Sequence, residues 1–240
     1  MLILSLESSA KAASVALVRD GRQIAMYSQN SGLTHSRTLL PMVEDLLRNT
    51  ETQLKDIDRV AVSHGPGSFT GVRIGISVVK GLSWASGIPA CGVSTLEAAA
   101  YAGIFASEGA VICASMDARR DQVYNALFLF RHGRPERLCD DRAISLADLK
   151  ADILELGRDN YRDQYIFLVG DGAELCYTAF SGTEINAILA PEPVRMQNAW
   201  GVAMAAEGLP AGDSGDLIPV YLRLSQAERE RQERLSSNSF

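Results

Sequence analysis

No apolar run in the sequence approaches the ~20 residues that a membrane-spanning helix requires. The first residues, Met1-Leu2-Ile3-Leu4-Ser5-Leu6-Glu7, also lack the basic start and the long apolar stretch of a secretion signal. These two absences predict a cytoplasmic protein that has no membrane partner.

The sequence is equally poor in groups that bind metals or form disulfides. The four cysteines are Cys91, Cys113, Cys139 and Cys176, and the three histidines are His35, His64 and His132. None of the cysteines forms a CxxC pair, and most lie in apolar stretches, so we expect buried free thiols. The histidines show no ligand spacing. The sequence therefore predicts no metal site.

Basic runs are missing as well. The formal net charge is −6 over 240 residues, whereas a protein that holds nucleic acid by itself usually carries a basic face. Any role with nucleic acid is therefore predicted to be indirect. The hydrophobic content of 47% is enough for one sizeable core or for two modest lobes.

Hydrophobic patterns predict an α/β protein. Strands are predicted at 2–6, 14–19, 22–28, 59–63, 89–93, 110–116, 123–130 and 165–169, and helices at 35–49, 72–86, 95–106, 146–156 and 199–207, with one more after Gly172. Asp20-Gly21 predicts a type I′ hairpin between the second and third strands. Both halves begin with strands, so we expect an N-terminal lobe at 1–106, a C-terminal lobe at 107–224 and a polar tail at 225–240.

The segment Gly65-Pro66-Gly67-Ser68-Phe69-Thr70-Gly71 lies between a predicted strand and a predicted helix. It is not a Walker A motif, because Val72 and Arg73 follow the last glycine where lysine and a hydroxyl residue are needed. Two interpretations remain open: an anion site at the start of the helix, or a turn that aims the helix. Small residues along this helix allow close packing, either on the protein's own sheet or against an external partner.

These residues resemble the TsaB family, also called YeaZ. The run at 65–75 (Gly-Pro-Gly-Ser-Phe-Thr-Gly-Val-Arg-Ile-Gly) carries most of the resemblance. Weaker agreement spans nearly the whole chain, at Ile3–Ser9, His35-Ser36, Leu39-Leu40-Pro41, Lys80-Gly81-Leu82, Asp117-Ala118-Arg119-Arg120, Val123-Tyr124, Gly170-Asp171-Gly172 and Pro219-Val220-Tyr221-Leu222-Arg223.

The resemblance implies a two-lobed fold of the actin-like and sugar-kinase type (ASKHA), with mixed sheets and flanking helices. It implies a non-catalytic subunit in threonylcarbamoyladenosine modification of tRNA, which pairs with a TsaD-like catalytic paralogue. A TsaE-like ATPase would join the pair, a homodimer would form without the paralogue, and tRNA would be contacted only indirectly. The implied interface comprises His35, Leu39, Val43, Leu46, Gly71, Arg73, Gly75 and Val78.

One departure from the catalytic paralogue bears on mechanism. Where the paralogue has a His-x-x-x-His metal pair, this chain has Thr95 and Ala99. The resemblance therefore implies no catalytic residue and no metal. We expect no cofactor in the isolated chain, although ATP or ADP could bind at a composite interface.

Two alternatives stay open. The first is a nucleotide-dependent phosphotransferase or ATPase of the same fold, which would use Glu7, Ser8, Ser9, Asp117, Gly170 and Gly172. The second is a metallopeptidase, which the missing histidine pair disfavours.

Overall fold

The structure is a computed structural model that describes residues 1–159 and 165–223. In these ranges five strands form a first sheet: β1 (Leu2–Glu7), β2 (Ala13–Arg19), β3 (Arg22–Gln29), β4 (Arg59–Gly65) and β5 (Ala90–Ser94). Their order is β3-β2-β1-β4-β5, with β1, β4 and β5 parallel and β2 antiparallel to its neighbours. Asp20 and Gly21 both have positive φ, which agrees with the predicted hairpin turn.

Four helices of the described residues cover this sheet. They are α1 (His35–Asn49), α2 (Phe69–Ser86), α3 (Thr95–Ala100) and α7 (Ala199–Ala206). A cluster of buried apolar side chains joins α1 and α2 to one face of the sheet, and a second cluster joins α3 and α7 to the other face. Helix α2 begins at Phe69 rather than at the predicted Val72, because the Ser68 hydroxyl accepts a hydrogen bond from the Gly71 amide.

A second sheet follows in the chain. Its described strands are β6 (Val111–Asp117), β7 (Gln122–Arg131), β8 (Arg134–Arg137), β9 (Arg142–Ser145), β10 (Ile166–Val169) and β11 (Ala187–Leu189), in the order β11-β10-β6-β7-β8, with β9 also paired to β7. The remaining helices are α4 (Leu146–Asp159), α5 (Ala173–Phe180) and α6 (Glu192–Arg195). Helices α4 and α5 pack on the outer face of this sheet, while α3 also packs on its inner face.

The two sheets sit on either side of α3, and the chain crosses between them more than once. Helix α7 returns from the second half of the sequence to pack on the first sheet, and Leu217 joins the cluster beneath α1 and α2. The predicted tail at 225–240, and part of the polar region at 131–163, lie outside the described residues. No helix in the described ranges is both long and apolar enough to cross a membrane.

Candidate functional site

The predicted interface residues of α1 point into the protein. Leu39, Val43 and Leu46 are almost fully buried in the cluster between α1, α2 and the first sheet. An apolar stripe on a surface helix normally faces the core, and this stripe does so. The structure therefore corrects the assignment of these three side chains as direct partner contacts.

The glycines of α2 are also turned inward. A Cβ atom added at Gly71 would lie 2.1 Å from the Ser8 carbonyl oxygen, and one at Gly75 would lie 2.4 Å from Ser8 Oγ. Helix α2 thus crosses the turn after β1 at a distance that only glycine allows. Internal packing explains the small residues, and the assignment of Gly71 and Gly75 as external contacts is likewise corrected.

Exposed apolar side chains occur on α2 and near the start of α1. Trp84 is 88% exposed, Leu33 46% and Leu40 41%, while Val78 is half-buried. Arg73, Ser77 and Trp84 are spaced by four and seven residues, which places them on one side of α2. We use "outer helix face" for the exposed side of α2 that carries Arg73, Ser77 and Trp84. Trp84 was not among the predicted site residues, although a tryptophan among small residues near the end of a surface helix was the available signal.

Two predicted interface residues make contacts within their own chain. The Arg73 guanidinium donates through Nε to the Tyr221 hydroxyl at 2.6 Å and lies over the same ring. His35 Nε2 lies 2.7 Å from the carbonyl oxygen of Ala10, so the imidazole ties the start of α1 to the turn after β1. Both side chains hold neighbouring segments in place, and Arg73 remains exposed to solvent on its other side.

The second set of candidates lies where strand ends of the two sheets meet, a region we term the seam. Glu7 ends β1, Asp117 ends β6, and Asp171 follows β10. Ligands of open α/β sheets commonly bind at such carboxyl ends. Here, however, Glu7, Ser8 and Ser9 are buried. The Ser68 amide donates to the Ser9 carbonyl oxygen at 2.7 Å, and Ser8 Oγ donates to the Gly71 carbonyl oxygen at 2.9 Å, so the glycine-rich segment covers this turn.

The carboxyl groups of the seam differ in environment. Burial raises the pKa of Glu7, although its Oε1 accepts hydrogen bonds from the Ser9 amide and hydroxyl. Burial also raises the pKa of Asp171 to about 6, and the nearby charges of Asp117 and Glu7 add to that rise. Asp117 is exposed and accepts a hydrogen bond from the Arg119 amide at 2.6 Å. Asp171 belongs to the Gly170-Asp171-Gly172 motif but was not predicted as a site residue.

The glycines beside Asp171 pack closely against β6. A Cβ atom at Gly170 would lie 2.1 Å from the Ser115 carbonyl oxygen, and one at Gly172 would lie 2.8 Å from the Met116 carbonyl carbon. Both glycines serve the close approach of this turn to β6. Gly170 and Gly172 are therefore packed against β6, whereas Ser8 and Ser9 are covered by the glycine-rich segment.

Thr95 and Ala99 stand at the two positions that were compared with a histidine pair in the sequence, and both are buried in α3. Among residues 1–159 and 165–223, no group of three histidine, cysteine, aspartate or glutamate side chains is arranged to hold a metal ion.

Two mixed sheets, with helices on their outer faces and a third helix layer between them, define an α/β protein of the two-lobed, actin-like and sugar-kinase class. A polyphosphate/ATP-glucomannokinase from Arthrobacter shares this fold, with a TM-score of 0.52 at 11% identity over 86% of this chain and 97% of that one. A protein described as similar to peptidase YeaZ, from Pseudomonas aeruginosa, has a TM-score of 0.76 at 28% identity, and the match covers 92% of this chain and 99% of that one.

The sequence comparisons narrow this class to a family. The family model described as "TsaD: tRNA N6-adenosine threonylcarbamoyltransferase" matches residues 15–200. The Bacillus subtilis "tRNA threonylcarbamoyladenosine biosynthesis protein TsaB" is 33% identical over 95% of this chain and 96% of its own length. The Escherichia coli protein of the same name is 42% identical over 52% of this chain and 53% of its own length. The chain belongs to the TsaB (YeaZ) family.

Proposed function

We propose that this chain is a non-catalytic subunit in the synthesis of threonylcarbamoyladenosine in tRNA, and that it binds a TsaD-like catalytic paralogue through the outer helix face. The names of its relatives place them in that biosynthesis. The match of this chain to a TsaD family model supports pairing with a protein of the same fold.

The exposure of Trp84 is the observation that carries the proposal. A tryptophan side chain buries a large apolar area when it is covered, and tryptophan is enriched among residues that dominate binding energy. Trp84 is 88% exposed in the isolated chain. Leu40 on α1 and Leu33 just before it are further exposed apolar side chains.

The enclosure of the seam supports a non-catalytic role. In a nucleotide-binding relative of this fold, the turn after β1 would have to face the ligand, but here the glycine-rich segment covers Ser8 and Ser9. Burial raises the pKa of the Glu7 carboxyl, so ionisation there is costly. Thr95 and Ala99 cannot act as imidazole ligands.

The proposal also includes an ATPase, a nucleotide, a second copy of this chain and tRNA. A TsaE-like ATPase joins the heteromer, ATP or ADP binds only at a composite interface, and the chain forms a homodimer through the outer helix face when the paralogue is absent. The net charge of −6 favours an indirect contact with tRNA, because phosphates are held by basic surfaces.

The test is a titration of this chain with the TsaD-like paralogue of the same organism, followed by light scattering on the eluted species and by calorimetry. The wild-type chain is expected to form a heteromer. Trp84→Ala is expected to weaken binding by about thirtyfold, which corresponds to ~2 kcal/mol for a tryptophan at the centre of an interface.

Phe105→Ala provides a matched control, because Phe105 is a 61% exposed aromatic residue outside the outer helix face. It should leave the affinity unchanged. The proposal fails if the wild-type chain forms no heteromer, or if both variants bind as tightly as the wild type.

A further inference from the structure

The segment after α7 crosses the protein without forming a long regular element. We term residues 212–223 the strap. It begins at Gly212, whose amide and carbonyl pair with those of Ala90 at 3.0 and 2.9 Å. It continues under the side chain of Lys80, whose ammonium donates to the Gly215 carbonyl oxygen at 3.0 Å. Leu217 then inserts into the cluster beneath α1 and α2. The first half of the strap is therefore fixed to the first sheet and to α2.

The strap next passes over the glycine-rich segment. The Val220 amide donates to the His64 carbonyl oxygen at 2.8 Å. A Cβ atom at Gly65, which has φ +125°, would lie 2.2 Å from the Val220 carbonyl oxygen. Glycine at position 65 is thus required both by the backbone angle and by the contact with the strap.

Tyr221 then packs against the first turn of α2. Its ring stacks on Phe69 with a centroid distance of 4.1 Å and an interplanar angle of 13°. Its hydroxyl accepts the 2.6 Å hydrogen bond from Arg73, which belongs to the outer helix face. Stacked rings and a hydrogen bond from a charged donor both hold the residues they join in one arrangement.

The strap ends on the other half of the molecule. Leu222 packs against the cluster on the inner face of the second sheet, and the Arg223 guanidinium donates to the Ala118 carbonyl oxygen. Ala118 directly follows Asp117 of the seam. Three consecutive residues, 221–223, therefore connect the start of α2 to the turn between β6 and β7.

We infer that Tyr221 is a positioning residue: through the strap it fixes the first turn of α2 relative to the second sheet and so preorganises the outer helix face for its partner. This inference rests on the proposed function for the identity of the partner. It implies that a change at the far end of the strap, on the second sheet, alters both the order of the first turn of α2 and the affinity for the paralogue.

The test combines two measurements on the full-length chain. Hydrogen exchange reports the local opening of the amides at 71–75, and calorimetry with the TsaD-like paralogue reports affinity. Tyr221→Ala should speed exchange at 71–75 and weaken binding, each by about tenfold, since a stack and a hydrogen bond are both lost. Arg223→Ala should change both readouts in the same direction by about threefold, because one hydrogen bond to the second sheet is lost.

Tyr177→Ala is the control, since Tyr177 is an exposed tyrosine on α5, and it should alter neither readout. Tyr221→Phe keeps the stack and removes the hydroxyl, so its exchange rate at 71–75 and its affinity should lie between those of the wild type and Tyr221→Ala. It replaces the alanine variant in both measurements if that variant does not fold.

The inference is overturned if Arg223→Ala leaves both the exchange at 71–75 and the affinity unchanged. If Tyr221→Ala still weakens binding in that case, Tyr221 contacts the partner directly. If the wild-type chain binds no paralogue, the proposed function fails. Exchange at 71–75 in the free protein still decides the role of the strap.

Discussion

Replacing Asp171 with asparagine is expected to stabilise this protein at neutral pH. Burial raises the pKa of Asp171 from 3.8 to about 6 in the folded state. One pH unit corresponds to about 1.4 kcal/mol, so the ionised carboxylate costs the folded state roughly 3 kcal/mol. Asparagine has nearly the same shape, it can still accept the hydrogen bond that Asp171 receives from the Asp117 amide, and it carries no charge.

The sign of the pH dependence follows from linkage. Because the folded-state pKa is the higher one, the folded protein binds more protons between pH 3.8 and about 6, and its stability falls as the pH rises through that window. The advantage of Asp171→Asn should therefore be near zero below the window, about half of its full value at pH 5 and about 3 kcal/mol at pH 7.5. For a chain of this size the last value corresponds to a rise of roughly 6–12 °C in Tm.

Thermal unfolding followed by calorimetry between pH 5 and pH 8 measures this difference. Asp140→Asn is the control, because Asp140 is an exposed aspartate on the same half of the molecule, and it should shift Tm little at any pH. A stabilisation by Asp171→Asn that stays constant from pH 5 to pH 8 would refute the electrostatic reasoning. A loss of stability at pH 7.5 would show that the carboxylate is held by contacts that the reasoning omits.

Two further predictions follow from the glycine-rich segment. Gly71→Ala should destabilise the protein by about 3 kcal/mol or more, since its Cβ atom would lie 2.1 Å from the Ser8 carbonyl oxygen. Gly81 lies in the same helix with open space around it, so Gly81→Ala should instead stabilise the protein by about 0.5–1 kcal/mol. Equal effects of the two variants on urea unfolding would contradict the packing argument. The isolated chain should show no tight binding of ATP with Mg²⁺ by calorimetry, because Ser8 and Ser9 are buried, and robust ATP turnover by the purified chain would overturn the non-catalytic assignment.

Local patterns predicted most of the first sheet. The Asp20-Gly21 turn, the apolar strands and the two outer helices each follow from residues that are close in sequence, so short-range rules are sufficient. The strands β8, β9 and β11 were missed because they are three or four residues long and partly exposed. Their pairing depends on partners elsewhere in the second sheet, which no local window contains.

The candidate site was harder to predict because periodicity gives the angle between side chains but not the direction of the core. Leu39, Val43 and Leu46 were correctly grouped on one side of α1, yet that side faces the sheet. The spacing of Gly71 and Gly75 likewise indicated a close contact without identifying Ser8 as the neighbour. The burial of Asp171 depends on the turn after β10 packing against β6, a contact between segments about 55 residues apart in the chain.

The glycines of the glycine-rich segment pack against other parts of the same chain. A loop of glycines at a helix start can cradle an anion only if its amides face open space. In this chain Gly67 and Gly71 approach the carbonyl oxygens of Ser9 and Ser8, and Gly65 approaches that of Val220, all closer than a Cβ atom would allow. The missing side chains are thus used to bring protein segments together rather than to admit a ligand. What the same packing leaves uncovered is the opposite side of α2, and there the sequence places Trp84. The glycines and the tryptophan therefore lie on opposite sides of α2. The glycines pack the helix tightly against the turn after β1, and the exposed tryptophan belongs to the surface that we propose binds another protein.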